Sequence, residues 1–400
     1  MKIKKLLFLI IFIIFLELLN ELLSLSRNIK LPQCTQPKPR ISNQTYLWTV
    51  SHPAFQEKFH LFGTIHVPVQ LVWNFISEET KEAFLKADEV YSEIDFTTNN
   101  DIKVYQMCSM NKEGKDLQNV ISPNLYSRLQ RIFDWLKENT EIDVGVSNSW
   151  KSFRPEFVSH HYLQRFSKEM FSSLVDIDIS DTFCDLGAIA TVIPDNTSLD
   201  MFLALYASIL NKKIGGVENA RDNCVLYSNL PDEVGSYMLN KTVTAFENMI
   251  DLTEEYFDDK ITDEYFLESF QDMHEATLDA FIPDMVYKYN EVSINENPFE
   301  TYYKTYKEFI SESIMNMTKE DLLDAQYEMK YMEINLSNII ERNLKMTKKI
   351  VEFVTANPKK KYFFAFGVAH FLGNNSVVDM LKRVGFTVER VNSVEDEIKS

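Results

Sequence analysis

Beyond its first 25 residues, the 400-residue chain lacks any apolar run long enough to cross a membrane, which takes about 20 residues. It is also short of positive charge, since 41 Lys and Arg stand against 59 Asp and Glu and give a net charge of −18. Nucleic-acid binding needs concentrated Lys and Arg, so this balance argues against a nucleic-acid partner. At 45% hydrophobic residues, the chain can nevertheless bury a substantial core.

Cysteine and histidine are scarce, and neither occurs in a common zinc-binding pattern. No Cys-x-x-Cys pair occurs among the four cysteines, and no His-Glu-x-x-His motif occurs among the seven histidines. A zinc–thiolate site and a conventional zincin are therefore the weaker hypotheses. In an oxidising compartment, four cysteines can form two disulfides with three alternative pairings.

The first 25 residues are the apolar exception and have the pattern of a targeting signal. Lys2, Lys4 and Lys5 precede the unbroken apolar run Leu6–Leu16. A basic flank before a short apolar core predicts a secretory signal peptide. An uncleaved signal anchor is the alternative, because no clear small-x-small cleavage site follows. We therefore expect a protein of the secretory pathway, either extracellular or at the cell membrane.

The remaining segments agree with secretion. Residues 26–43 carry three prolines without apolar periodicity, which predicts a linker. Residues 44–392 are predicted to form one folded domain, and residues 393–400 form a polar tail. N-glycosylation, which marks secreted proteins, is predicted at the Asn-x-Ser/Thr sequons of Asn43, Asn196, Asn240, Asn316 and Asn335.

Two of the few histidines occur in matching contexts near opposite ends of the domain. An apolar run leads into Gly63 and then His66, and a second apolar run leads into Gly367 and then His370. Each pattern predicts a buried strand whose carboxyl end carries an imidazole. Either histidine alone is more simply a satisfied core residue. Because the contexts match, we expect the two to be ligands of one site, with a general base and its partner as the alternative.

The pattern around these histidines predicts an α/β fold. Both ends read strand–Gly-x-x-His–helix–strand, the order of a central parallel sheet with crossover helices. Between them lies a large, mostly helical middle, from about Ser122 to Thr355. Ligands bind beyond the carboxyl ends of the strands in such sheets, which is where both histidines are expected.

Glu93 is the next candidate, because it follows the strand-like run that begins at Glu89. A carboxylate at that strand end can coordinate a cation or take a proton from water. The simpler alternative is a solvated carboxylate, like most of the 59 acidic residues. By composition alone nothing sets apart four further polar residues: Asp95, Asp200, Glu218 and Arg342.

Several segments together resemble the TIKI metalloproteases of the TraB-like superfamily, which is distantly related to the erythromycin esterases. The segments fall in the family's order and are Phe62–Pro68, Tyr91–Asp95, Cys108, Gly114–Val120, Leu199–Ala204, Gly215–Glu218, Cys224, Glu341–Asn343 and Phe363–Asn375. The resemblance runs from about Tyr46 to Val391 and is most specific in the last of these segments. It identifies residues 44–392 as a TIKI/TraB-like catalytic domain.

The resemblance implies a secreted or membrane-tethered peptidase that depends on Mn²⁺ or Co²⁺. Animal members remove an amino-terminal piece from Wnt proteins and so inhibit Wnt signalling. The family's essential histidines and glutamate fall on His66, His370 and Glu93, and its late-helix arginine falls on Arg342. The apolar tail that anchors vertebrate members is missing here, so membrane association is expected through the N-terminal segment or through a lost C-terminal anchor.

The cysteines in family-like segments are Cys108 and Cys224, so the resemblance also predicts that these two pair. Residue chemistry agrees with a metal site, because imidazole plus carboxylate suits Mn²⁺, Co²⁺ or Zn²⁺. A further ligand would come from Asp95, Glu218 or water, and Asp200 is a candidate for support.

Arg342 is expected to stabilise an oxyanion or bind a substrate carboxylate. Two other classes stay open: a metal-dependent or metal-free esterase on the same scaffold, and a secreted protein that binds without cleaving.

Overall fold

A computed structural model describes part of the chain. The described residues are 44–95, 104, 108–111, 115–139, 148–159, 197–219, 222, 230–258, 260–262, 265, 269, 289 and 294–392. The predicted signal of residues 1–25, the linker of residues 26–43 and the polar tail of residues 393–400 lie outside them, as does Cys224. Within the described part, no helix is both long and apolar enough to cross a membrane.

In the part of the chain that the structure describes, six strands form one sheet in the order β4-β3-β5-β2-β1-β6. β4, β3, β5 and β2 pair in parallel, whereas β1 runs antiparallel to both β2 and β6. The four parallel strands therefore present their carboxyl ends at one edge. The strands are β1 Gln44–Ser51, β2 Phe59–Thr64, β3 Glu89–Ser92, β4 Lys213–Gly216, β5 Tyr362–Gly367 and β6 Thr387–Asn392.

Helices fill most of the described sequence between the strands. They are α1 Glu78–Lys86, α2 Pro123–Asn139, α3 Pro155–Phe157, α4 Leu199–Ile209, α5 Asp232–Phe257, α6 Pro298–Ser313, α7 Lys319–Ala356 and α8 Val377–Arg383. Side-chain caps fix several of their first turns: Ser77 accepts from the Thr80 amide, and Ser376 accepts from the Asp379 amide. Such caps satisfy amides that have no partner inside the helix.

The main hydrophobic core packs against both faces of the sheet. All five residues of Tyr362–Phe366 in β5 are at most 2% exposed, as expected for a central strand covered on both sides. Full burial of a large apolar side chain contributes about 1.5–3 kcal/mol before entropy costs. A second cluster of buried residues joins α2, the segment around Trp150 and α5. The helical middle thus has a core of its own beside the sheet.

The predicted α/β class is confirmed, since the described residues form a six-stranded sheet and are mostly helical elsewhere. One detail differs, because the predicted parallel arrangement is interrupted by β1. β3 ends at Ser92, directly before Glu93, and the family-like segment Gly215–Glu218 begins inside β4.

The connections after the two histidines differ as well. Two 3-10 turns, Val69–Leu71 and Trp73–Phe75, separate His66 from α1, whereas His370 itself ends the 3-10 turn Val368–His370. The prediction that the two histidines belong to equivalent strand–Gly-x-x-His–helix units is therefore not confirmed and stays an interpretation.

Candidate functional site

The two Gly-x-x-His turns lie side by side at the carboxyl edge of the sheet. β2 and β5 are direct parallel neighbours, with Gly63 opposite Phe366 and Thr64 opposite Gly367. The strands approach so closely that a Cβ added to Gly63 would lie 2.8 Å from Val368 Cγ2. Glycine is needed here because any side chain would push the two turns apart.

Three predicted site residues meet above Gly367. A Cβ added to this glycine would lie 3.6 Å from His370 Cδ2, 3.7 Å from His66 Nε2 and 3.9 Å from Glu93 Oε2. Glu93 reaches this point because it directly follows β3, which pairs in parallel with β5 on the side away from β2. The sheet topology thus brings together side chains from three separated segments.

His66 is oriented by a buried carboxylate. Its Nδ1 lies 2.7 Å from Asp200 Oδ2, and the Thr64 hydroxyl donates to Asp200 Oδ1. The charge of Asp200, outweighing the opposite effect of burial, raises the pKa of His66 to about 9.

Asp200 lies in the first turn of α4. The start of this helix is bonded to the turn after His66, because the Leu199 amide donates to the carbonyl of Val67. The helix therefore carries its carboxylate directly to the ring.

His370 is held by an uncharged partner. Its Nδ1 lies 2.6 Å from Asn343 Oδ1, a side chain on α7 that is itself only 1% exposed. Burial, assisted by the positive charge of Arg342, lowers the pKa of His370 to about 3. The contact with Asn343 was not foreseen from the sequence, because a single asparagine in a long helix carries no signal of what it contacts.

Arg342 lies between two carboxylates. Its Nε donates to both oxygens of Glu218 at 3.1 Å, and its Nη2 donates to Glu218 Oε2 at 2.8 Å and also to Glu93 Oε1. Burial would raise the pKa of Glu93, but the charge of Arg342 prevails and lowers it to about 2. Burial raises the pKa of Glu218 to about 7 against the pull of the same arginine.

Two other predicted residues are Asp95 and Cys108. Asp95 lies two residues after Glu93, and its backbone passes against Gly216. Cys108 is disulfide-bonded, and because Cys224 lies outside the description, their pairing stays a prediction.

Glycosylation stays a prediction as well. Asn240 is in α5, Asn316 in a 3-10 turn and Asn335 in α7. Asn43 and Asn196 lie outside the described residues.

The cluster has the features of a cation site. Glu93 Oε2 is buried and has no hydrogen-bond partner, and it lies 3.9 Å from His66 Nε2. Two ligand atoms each about 2.1 Å from one ion are separated by at most about 4.2 Å, so both can reach the same ion. Because each Nδ1 faces an oxygen acceptor, the Nε2 atoms are the ring nitrogens left to bind.

The same cluster would have to tighten to hold an ion. Within the described part of the chain, no three His, Cys, Asp or Glu residues are gathered closely enough to hold one as they stand. The charge of Arg342 beside Glu93 also opposes a cation, while Asp200 and Glu218 offset that charge. The donor types, two imidazoles and a carboxylate, suit a divalent metal.

Comparison with known proteins supports the resemblance seen in the motifs. The sequence profile described as the TraB/PrgY/gumN family matches residues 46–292 and 262–390. The chain is 28% identical to "Metalloprotease TIKI2" of Danio rerio over 368 residues, which are 92% of this chain and 65% of the relative. It is 27% identical to "Metalloprotease TIKI1" of Homo sapiens over 360 residues, which are 88% of this chain and 63% of the relative.

The chain therefore spans slightly less than two thirds of the length of these curated relatives. No solved structure matches it.

Proposed function

The chain belongs to the TraB/PrgY/gumN family, and from that premise we propose that it is a metal-dependent peptidase of the TIKI type. The observation that carries the proposal is the convergence of His66, Glu93 and His370 above Gly367. Both imidazoles have their Nδ1 atoms bound to acceptors, and the carboxylate has an oxygen without a partner. Such an arrangement leaves two ring nitrogens and one carboxylate oxygen available to a cation.

In this proposal His66 and His370 hold the cation through Nε2, and Glu93 holds it through Oε2. Mn²⁺ or Co²⁺ is the proposed ion, and Zn²⁺ also suits imidazole and carboxylate ligands. When bound, the ion supplies Lewis-acid chemistry. Asp200 and Asn343 orient the rings, a role whose loss typically costs 10–100-fold in metal affinity in proteins.

The chain's own residues supply the rest of the chemistry. Arg342 keeps Glu93 ionised, so this carboxylate is present at neutral pH as an anion that can hold a cation. The Arg342 guanidinium also places positive charge beside the site, where it can stabilise a developing oxyanion. The His66 side chain is 64% exposed, which leaves that side of the cluster open to a peptide.

The proposed substrate is a Wnt-like protein that loses an amino-terminal segment, which would lower Wnt signalling. The likeness to proteins named TIKI metalloproteases supports this substrate. The signal-like first 25 residues and the sequons support a place in the secretory pathway, extracellular or at the cell membrane. Membrane association through the N-terminal segment, or through an anchor beyond this sequence, is part of the same proposal.

The deciding experiment is cleavage of a Wnt-like protein by the purified secreted chain. We expect an amino-terminal product with added Mn²⁺ or Co²⁺, none in excess chelator, and none from Glu93→Gln. Ser77→Ala, which changes a helix cap away from the cluster, is the matched control and should cleave normally.

Full activity on esters in excess chelator would instead identify an esterase. Retention of the substrate without any product would identify a binding protein, and either result would overturn the proposal.

A further inference from the structure

We propose that Asn343 is a positioning residue that fixes the tautomer of His370, so that the ring carries its hydrogen on Nδ1 and presents Nε2 to the site. The inference deepens the proposed function, because an Nε2 that carries a hydrogen cannot act as a ligand. It rests on two hydrogen bonds of one buried amide.

The orientation of this amide follows from its second contact. Asn343 Nδ2 lies 2.9 Å from the backbone carbonyl oxygen of Asn375. A carbonyl oxygen only accepts hydrogen bonds, so the atom facing it must be the NH₂ group. The oxygen end of the amide therefore faces His370, 2.6 Å from Nδ1. If the amide were reversed, its oxygen would face the carbonyl oxygen of Asn375, and the hydrogen bond between the two residues would be lost.

The oxygen of the amide dictates the state of the ring. It can only accept, so His370 Nδ1 must donate. This holds whether the ring is neutral or doubly protonated. In the neutral ring the hydrogen is on Nδ1, and Nε2 has its lone pair free.

The position of Asn343 links this role to the rest of the cluster. It directly follows Arg342 on α7, so consecutive residues contact the carboxylates and the histidine. Asn375, whose carbonyl fixes the amide, has a φ of 56° and its amide is bonded to Asp379. The carbonyl is thereby held in a defined turn, and Asn343 connects that turn to the ring.

A purely structural role is the rival explanation, since Asn343 also ties the turn after His370 to α7. The chain offers a matched control for it. Asn297 ties the same region to α6 through a 3.0 Å bond from its Nδ2 to the carbonyl oxygen of Ala369, whereas the partner of His370 Nδ1 is Asn343. Removing that bond should loosen the turn and leave the tautomer unchanged.

The direct test is the ¹⁵N spectrum of the His370 ring in metal-free full chain, assigned by comparison with His370→Gln. We expect a protonated Nδ1 and an unprotonated Nε2 in the native protein and in Asn297→Ala. Asn343→Asp gives up the bond to the Asn375 carbonyl but keeps an acceptor facing Nδ1, so it should keep this signature, whereas Asn343→Leu should shift the hydrogen toward Nε2. A hydrogen on Nε2 in the native protein overturns the proposal without any variant.

The second readout is the affinity for Mn²⁺ alone. Asn343→Leu should bind it roughly 10–100-fold more weakly, with affinity recovered in Asn343→Asp. Equal losses in Asn343→Leu and Asn297→Ala, or an unchanged ring in Asn343→Leu, would assign Asn343 a structural role and overturn the proposal. If the native protein binds no metal, the proposed function fails, while the ring spectrum still decides the tautomer.

Discussion

The two histidines have the same sequence context and very different surroundings. The His66 side chain is 64% exposed and bonded to the carboxylate of Asp200, whereas His370 is 5% exposed and bonded to the neutral amide of Asn343. Their pKa values move in opposite directions, to about 9 and about 3. The repeated Gly-x-x-His pattern therefore specifies where each imidazole lies at the sheet edge. Other segments of the chain determine the charge and the solvent exposure of each ring.

This difference divides the site into an open, anionic side and a closed, neutral side. The open side is the one that a peptide can approach, and Asp200 increases the basicity of its ring. The closed side is fixed by packing and by the Asn343 amide on α7. We call His370 the rigid reference of the cluster, because its ring is held in one position while the open side can adjust. Glu93 belongs to both sides, because its Oε2 shares the space above Gly367 with both rings and its Oε1 is held by Arg342.

The largest expected effect is the loss of any member of the cluster. His66→Ala, His370→Ala and Glu93→Gln should each lower kcat/KM by about 100-fold or more, since each removes a ligand. The double variant of both histidines should cost little more than either single one, because members of one unit are not additive. Peptidase assays on secreted protein, with circular dichroism as the folding control, check this. Losses that simply multiply in the double variant would mean that the two sides act independently.

The next two variants distinguish filling of the proposed cation site from disruption of the strand packing beneath it. Gly367→Ala should fold normally, because Gly367 has a φ of −47° and its new Cβ meets only ordinary contacts of 3.6 Å or more. That methyl group would occupy the gap between the rings and Glu93, so we expect loss of Mn²⁺ binding measured by calorimetry. The matched variant Gly63→Ala would place a Cβ 2.8 Å from Val368 Cγ2 and should destabilise the fold instead. Normal metal affinity in Gly367→Ala would show that the gap is not the cation site.

The residues of this site show which parts of the structure could be predicted from the sequence. The apolar runs before Gly63 and Gly367 were enough to predict two neighbouring strand ends, and the run beginning at Glu89 was enough to predict a third. Parallel pairing then brings the side chains together, since strand ends in a parallel sheet share an edge. The reversed β1 was not foreseen, because an isolated apolar strand carries no sign of its direction.

The partners of the rings were less accessible to prediction. Asp200 and Asn343 lie on α4 and α7, far from either histidine in sequence. Helical periodicity tells which face of a helix is buried, but not which ring that face meets. Arg342 and Glu218 became candidates only through the family resemblance, and their shared ion pair depends on the packing of α7 over the sheet edge.

A smaller effect is expected from removing the charge on the open side. Asp200→Asn keeps an oxygen that can accept from His66 Nδ1 while removing the negative charge that raises the pKa of this ring. We therefore expect the pKa of His66 to fall toward its ordinary value and Mn²⁺ affinity to drop about 10-fold. NMR titration of the metal-free protein and calorimetry measure the two quantities. An unchanged pKa would contradict the assignment of Asp200 as the charge that distinguishes the two sides.

The smallest effect compares the helices that follow the two histidines. Ser77 caps α1 and Ser376 caps α8, each through a 3.2 Å bond from a backbone amide to its hydroxyl oxygen. Ser77→Ala and Ser376→Ala should each lower the free energy of unfolding by about 1 kcal/mol, measured by urea denaturation. Ser376 directly follows Asn375, whose carbonyl oxygen fixes the Asn343 amide, so only its loss should also reduce peptidase activity severalfold. Equal activity in the two variants would mean that the closed side tolerates movement as well as the open side does, and the rigid-reference interpretation of His370 would have to be abandoned.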